Sequence, residues 1–230
     1  MNVKIESPEN IGAINMKNIL ILGDSYSTFG GCIPQGYAVY YSENGRAEGP
    51  AVTKMQKMQT WWAKLLEATN ANLVRNDSWS GSTIGYTGYG GEDCSSTSSF
   101  IYRYKQLKER GFFQENAVDT ILIFGGTNDS WSDAPLGERK LAGWTEKDLY
   151  NVLPAIGFLI HNVKKDCPNA EIVVIINTEI KAEIQDELEF VAKTCGVKSV
   201  RLQAIDKDCG HPTALGMSQI FEQVKKVLSE

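Results

Sequence analysis

Residues 17–27 read KNILILGDSYS. The apolar run Lys17 to Leu22, bounded by turn residues, is the pattern of a strand buried on both faces. Gly23-Asp24-Ser25 ends it, so the strand delivers a polar turn at its carboxyl end. The same plan recurs downstream. Strands are predicted at Ala71 to Arg75, Val118 to Phe124, Glu171 to Ile176 and Val197 to Leu202. Between them fall helices predicted at Thr60 to Ala68, Phe100 to Arg110, Glu146 to Lys165, Ala182 to Thr194 and Thr213 to Leu228. Apolar strands alternating with amphipathic helices imply an α/β fold, a three-layer α/β/α sandwich around a five-stranded parallel, flavodoxin-like sheet. The expected organisation is an extension over residues 1–16 and a single domain over 17–230, with a long loop insertion at about 28–58.

Composition narrows the function. The 230 residues carry 23 Lys+Arg against 28 Asp+Glu, a net charge of −5, and 42% hydrophobic residues. That is ordinary globular composition, and it argues against a nucleic-acid partner. No apolar run approaches the roughly 20 residues that span a bilayer, so no membrane is expected. Met1 to Asn15 contain no apolar core of a signal peptide, which points to the cytoplasm. Five cysteines, none spaced C-x-x-C, read as free thiols, with Cys32 and Cys94 as the one alternative pairing. There is no Gly-Lys dipeptide, hence no phosphate-binding P-loop, and no G-x-G-x-x-G after the first strand.

In an open parallel sheet, ligands bind beyond the carboxyl ends of the strands. Those ends carry Gly23 to Ser27, Asn76 to Gly81, Gly125 to Asp129 and Asp206 to Pro212. Together they hold a hydroxyl, an amide, an imidazole and carboxylates, which are the components of acyl transfer. A serine hydroxyl needs a base to remove its proton, and histidine has the right pKa. Of the two histidines, His161 lies in the body of a predicted helix, whereas His211 lies in a loop before Pro212. Asp208, three residues earlier, can reach back to orient the imidazole, with Asp206 as a competitor. Ser25 and Gly81 can offer backbone N–H groups, and Asn128 its side-chain amide, to an oxyanion. Gly85 is the fallback donor if the loop is registered differently.

These four blocks resemble the SGNH (GDSL-type) hydrolase family, whose Ser, Gly, Asn and His stand in this order. The matching residues are Gly23-Asp24-Ser25-Tyr26-Ser27, Gly81, Gly126-Thr127-Asn128-Asp129 and Asp208-Cys209-Gly210-His211-Pro212. The resemblance spans about residues 17–228. It implies a serine esterase with Ser25 as nucleophile, His211 as base, Asp208 as orienting acid and Ser25, Gly81 and Asn128 as the oxyanion hole. It implies no metal and no cofactor. The insertion at 28–58 departs from compact family members.

The predicted loops are rich in aromatics, among them Tyr26, Tyr40, Trp79, Tyr89 and Trp131. Flat rings among polar groups suit sugar rings better than alkyl chains, so the expected substrate is a carbohydrate or other small ester, deacetylated at oxygen. Asp24, Tyr26, Trp79 and Trp131 are the expected substrate contacts. Two rival readings are a thioesterase or lysophospholipase acting on acyl chains, and a non-catalytic binding module on the same fold.

Overall fold

The computed structural model describes residues 18–45 and 53–230. The expected extension at 1–16 and part of the 28–58 insertion lie outside them. Nine strands run through the described chain: β1 (Asn18–Gly23), β2 (Tyr41–Ser42), β3 (Thr53–Lys54), β4 (Asn72–Ser78), β5 (Thr120–Phe124), β6 (Glu171–Ile176), β7 (Lys198–Arg201), β8 (Lys207–Asp208) and β9 (His211–Pro212). The helices are α1 (Trp61–Thr69), α2 (Phe100–Glu109), α3 (Phe112–Glu115), α4 (Thr127–Trp131), α5 (Val152–Asp166), α6 (Ala182–Thr194) and α7 (Ala214–Ser229).

Five strands form one parallel sheet in the order β4-β1-β5-β6-β7. This is the flavodoxin-like order, and it makes the fold a three-layer α/β/α sandwich. Successive side chains on a strand face opposite ways, so each central strand feeds two cores. Leu20, Leu22, Ile121, Ile123, Val174 and Ile176 pack under α2, α5 and α6. Ile19, Ile21, Leu122, Phe124, Val173 and Ile175 pack under α1 and α7, where Trp61 and Trp62 are fully buried.

Three departures from the sequence reading have physical causes. First, β4 continues past Arg75 to Ser78, although Asn76, Asp77 and Ser78 are polar. All three are buried and satisfied internally. Asn76 donates to the Ser27 carbonyl at 2.8 Å, Ser78 donates to Asn76, and Asp77 is paired with Arg75 and Arg103. Second, the helix predicted over 146–165 is two pieces. A 3-10 turn over Glu146–Tyr150 is followed by extended Asn151, and α5 begins at Val152. Pro154 falls in the first turn of α5, where its missing N–H costs nothing; in a helix starting at Glu146 it would clash with the preceding turn. Third, the segment after β7 contains a small antiparallel hairpin, β8–β9, in place of a plain loop. Cys209 and Gly210 form its tip with φ of 48° and 80°, the positive values that a two-residue hairpin requires.

The described part of the 28–58 insertion is tied to the body of the protein. Gly30 donates to the Tyr41 carbonyl at 2.9 Å, and the buried Tyr41 hydroxyl donates to the Pro212 carbonyl at 2.8 Å. All five cysteines are free thiols, so the alternative Cys32–Cys94 bridge is not formed.

Candidate active site

The turn that carries Ser25 begins where β1 leaves the sheet. Asp24, in extended conformation, caps a single 3-10 turn over Ser25–Ser27, its carboxylate accepting the Tyr26 N–H at 3.0 Å. The cap fixes the turn and presents the Ser25 hydroxyl beyond the sheet. The Ser25 hydroxyl donates to His211 Nε2 at 3.0 Å, across 186 residues of sequence. The other ring nitrogen, Nδ1, faces the Cys209 carbonyl at 3.4 Å, long for a hydrogen bond. That arrangement places the imidazole proton on Nδ1 and leaves Nε2 free to accept. Burial holds the His211 pKa below its ordinary value, and nearby Lys207 acts in the same direction. The Cys209 carbonyl opposes them, and the balance favours the neutral, basic imidazole.

Asp208 is directly paired with His211 across the hairpin, yet its carboxylate makes no hydrogen bond to the imidazole. It is exposed and faces the Cys209 thiol, whose pKa it raises. A hydrated carboxylate at a hairpin edge gains little by turning inward when a backbone carbonyl already faces Nδ1. The competitor Asp206 accepts from the Thr213 hydroxyl at the start of α7 and does not reach the ring either. His161 lies exposed on α5, beside Trp144.

A cleft of about 450 Å³ opens over Ser25 and His211, lined also by Tyr40, Gly81, Asn128 and Trp131. The backbone N–H groups of Ser25 and Gly81 carry no hydrogen bond among the described residues. Gly81 has φ of +84°, a conformation that L side chains rarely adopt, which is why a glycine stands at this turn. The Asn128 amide donates one hydrogen to the Ser82 carbonyl at 3.0 Å and accepts from the Tyr89 hydroxyl at 2.8 Å. Its orientation is thereby fixed, and its second N–H remains for the cleft. Gly85, the fallback donor, has its N–H committed to Asp129 at 3.2 Å.

Of the four expected substrate contacts, only Trp131 lines this cleft. Asp24 is fully buried beneath Ser25; burial raises its pKa to about 7, and its Oδ2 has no hydrogen-bond partner. Tyr26 is also fully buried, its hydroxyl donating to the Gly210 carbonyl at the hairpin tip, so it braces the histidine loop. Trp79 stacks on Tyr37 at 4.3 Å and lines a neighbouring cleft of about 570 Å³. Among the described residues, no group of three or more His, Cys, Asp or Glu side chains is placed to hold a metal ion. Likewise, no described helix is long and apolar enough to cross a membrane.

The family model for GDSL-like Lipase/Acylhydrolase matches residues 17–228. The chain belongs to the GDSL-like lipase/acylhydrolase family. It is an ester-bond hydrolase by that membership. Among solved structures it resembles a protein from Bacteroides ovatus ATCC 8483, assigned as a GDSL-like lipase. The two are 38% identical with a TM-score of 0.81, covering 92% of this chain and 97% of the other. A counterpart from Bacteroides uniformis ATCC 8492, assigned likewise, is 38% identical with a TM-score of 0.82 over 93% of this chain and 96% of that one. A family two carbohydrate esterase from Clostridium thermocellum, solved with cellohexaose, shares the fold at 17% identity and a TM-score of 0.61, covering 96% of this chain and 65% of that one. Comparison with curated proteins gave no match.

Four residues that shape the site were given no individual role by the sequence reading. Asp129 accepts the Ile84 N–H at 2.9 Å and the Gly85 N–H at 3.2 Å, fixing the loop that follows Gly81. Burial raises its pKa to about 6. Arg103, only 1% exposed, donates to Gly23, Asp77 and Ser82, joining the ends of β1 and β4 to the loop behind Gly81 and Asn128. Tyr89 holds Asn128. Tyr40 stacks on the imidazole, with 3.7 Å between ring centres. Asp129 follows Asn128 directly, but nothing in the sequence marks it as buried. The tyrosines belong to an aromatic-rich set with no internal ranking, and Arg103 looks like any helix arginine.

Proposed function

We propose that this protein is a serine esterase that removes a small acyl group, such as acetyl, from a carbohydrate or similar alcohol. The observation that carries this reading is the 3.0 Å contact between the Ser25 hydroxyl and His211 Nε2, beside the unbonded N–H groups of Ser25 and Gly81. His211 takes the hydroxyl proton as Ser25 attacks the ester carbonyl. The carbonyl oxygen, now anionic, is held by the N–H groups of Ser25 and Gly81 and by the Asn128 amide. His211 then protonates the departing alcohol, and water repeats the sequence on the acyl-enzyme. In this reading the Cys209 carbonyl takes the orienting place expected of Asp208. Residues 17–230 act as one catalytic unit.

The choice of a carbohydrate or similar alcohol is supported by the cleft, where Tyr40, Tyr89 and Trp131 stand among Ser80, Gly81 and Asn128. Rings mixed with polar groups suit a sugar face. The resemblance in fold to the Clostridium thermocellum carbohydrate esterase is consistent with this. The test is hydrolysis of p-nitrophenyl esters from acetyl to octanoyl at pH 8, by the wild type and by Ser25→Ala. The expected result is turnover that falls with chain length and is absent from Ser25→Ala. Turnover retained by Ser25→Ala would overturn the mechanism, and a preference for octanoyl would overturn the substrate class.

A further inference from the structure

A base that carries a proton through the reaction needs two things: a fixed ring plane and some stabilisation of its charged form. A buried carboxylate ordinarily supplies both. Here neither Asp206 nor Asp208 touches the ring, and the Cys209 carbonyl stands at 3.4 Å. What does touch the ring is aromatic. Tyr40 lies parallel to the imidazole, with ring centres 3.7 Å apart and planes 9° from parallel. Trp131 meets it edge-on at 5.5 Å, and Tyr26 lies at 5.5 Å with a 36° tilt.

Tyr40 is itself held on both sides. Its backbone N–H donates to the Thr28 hydroxyl oxygen at 2.9 Å, and its carbonyl accepts the Thr53 N–H at 2.7 Å. The same Thr28 hydroxyl donates to the Ser25 carbonyl at 3.1 Å. One hydroxyl therefore links the backbone of the nucleophile to that of the stacking tyrosine. Among the described residues the Tyr40 hydroxyl makes no hydrogen bond, so the contact is made by the ring face. An aromatic face carries negative charge density, which favours a cation placed against it.

We propose that Tyr40 is a positioning residue for the base: its ring face fixes the plane of the His211 imidazole and stabilises the imidazolium formed when Ser25 loses its proton. This rests on the reading of Ser25 and His211 as nucleophile and base. The ionisable groups around the ring are Lys207 and Asp208 on β8, Cys209 at the hairpin tip, Tyr26 and the buried Asp24 from the nucleophile turn, and Lys54 across an adjoining cleft. Of these, Lys207 and Asp208 act in opposite directions on a positive ring, and Tyr40 is in closest contact.

The test is an NMR titration of the imidazole. His161 and His211 are the two histidines, and His211→Gln assigns the signals. Tyr40→Phe keeps the face and should titrate as the wild type does. Tyr40→Leu should lower the His211 pKa by about half to one unit. Its kcat on p-nitrophenyl acetate should fall about three- to tenfold, with KM changed less, and the limb of the pH profile should move to lower pH with the titration. If Tyr40→Leu does not fold, pentafluorophenylalanine at position 40 keeps the shape and reverses the charge of the face, and the same downward shift is expected. An unchanged titration in both variants overturns the proposal. So does Asp208→Asn if it lowers kcat by as much as Tyr40→Leu. The titration needs no substrate: a wild type inert to esters and to a fluorophosphonate label on Ser25 would overturn the esterase reading, while the titration still judges Tyr40.

Discussion

Replacing Asp24 with Asn should make the protein more stable, and more so as the pH rises. Asp24 is fully buried and caps the nucleophile turn with one oxygen, while the other has no partner. Burial raises its pKa from 3.8 to about 7; the Tyr26 N–H, Thr127 and Arg103 oppose the rise only in part, and Asp129 adds to it. The folded state therefore binds the proton more tightly than the unfolded chain does. Its contribution is fully present below about pH 4 and is lost as the pH rises through about 7. A rise of about three units at ~1.4 kcal/mol each sets a ceiling of ~4 kcal/mol lost by pH 8. Asparagine keeps an oxygen for the Tyr26 N–H and cannot ionise. For a chain of this size ~1 kcal/mol moves Tm by about 2–4 °C, so Asp24→Asn should melt up to about 8–16 °C above the wild type at pH 8. The gap should close near pH 4. Asp129, also buried, is present in both proteins; its charge helps raise the Asp24 pKa, so relieving that repulsion in Asp24→Asn adds to the gap in the same direction. Melting followed by circular dichroism at pH 4 and pH 8 is sufficient. A gap equal at the two pH values, or a variant less stable at pH 8, would refute the reasoning.

Arg103→Met should leave the Asp77 carboxylate buried with Arg75 as its sole cationic partner. Breaking a buried pair on one side costs about 3–5 kcal/mol, so a thermal scan should show Tm lower by about 6–20 °C; a drop of under 3 °C would mean that the network carries little of the stability. Asn128→Ala removes one of the three proposed oxyanion donors and leaves Ser25 in place. Steady-state kinetics should then show kcat reduced about 10²- to 10³-fold with KM little altered, and a pure KM effect would move Asn128 from the oxyanion to ground-state binding.

The sheet was legible because its strands are short apolar runs with little polar interruption, and each ends in turn residues. Ile172 to Ile176 reads as a buried strand from one sequence, and it is one. The end of β4 was not legible, because hydropathy cannot tell that Asn76, Asp77 and Ser78 satisfy one another and Arg103 inside the protein. The pairing of Ser25 with His211 follows from topology: both follow strands of the sheet and lie on the same side of it. What lies against the imidazole does not follow. Whether a carboxylate three residues away turns inward depends on a hairpin whose register sequence spacing does not set. The substrate contacts were the least legible part. Tyr26 and Trp79 flank the expected turns, yet one points into the core and the other across to a neighbouring cleft.

The hairpin that carries His211 is latched by hydroxyls from the other end of the chain, Tyr26 at Gly210 and Tyr41 at Pro212. Ser25 and His211 thus come together only after the chain through β9 has left the ribosome. A chain ending before β8 would contain all five sheet strands and Ser25, but neither His211 nor α7, whose Met217, Ile220, Val224 and Leu228 cover one face of the sheet. The contact between Ser25 and His211 is therefore a long-range one, which no single stretch of neighbouring residues makes alone.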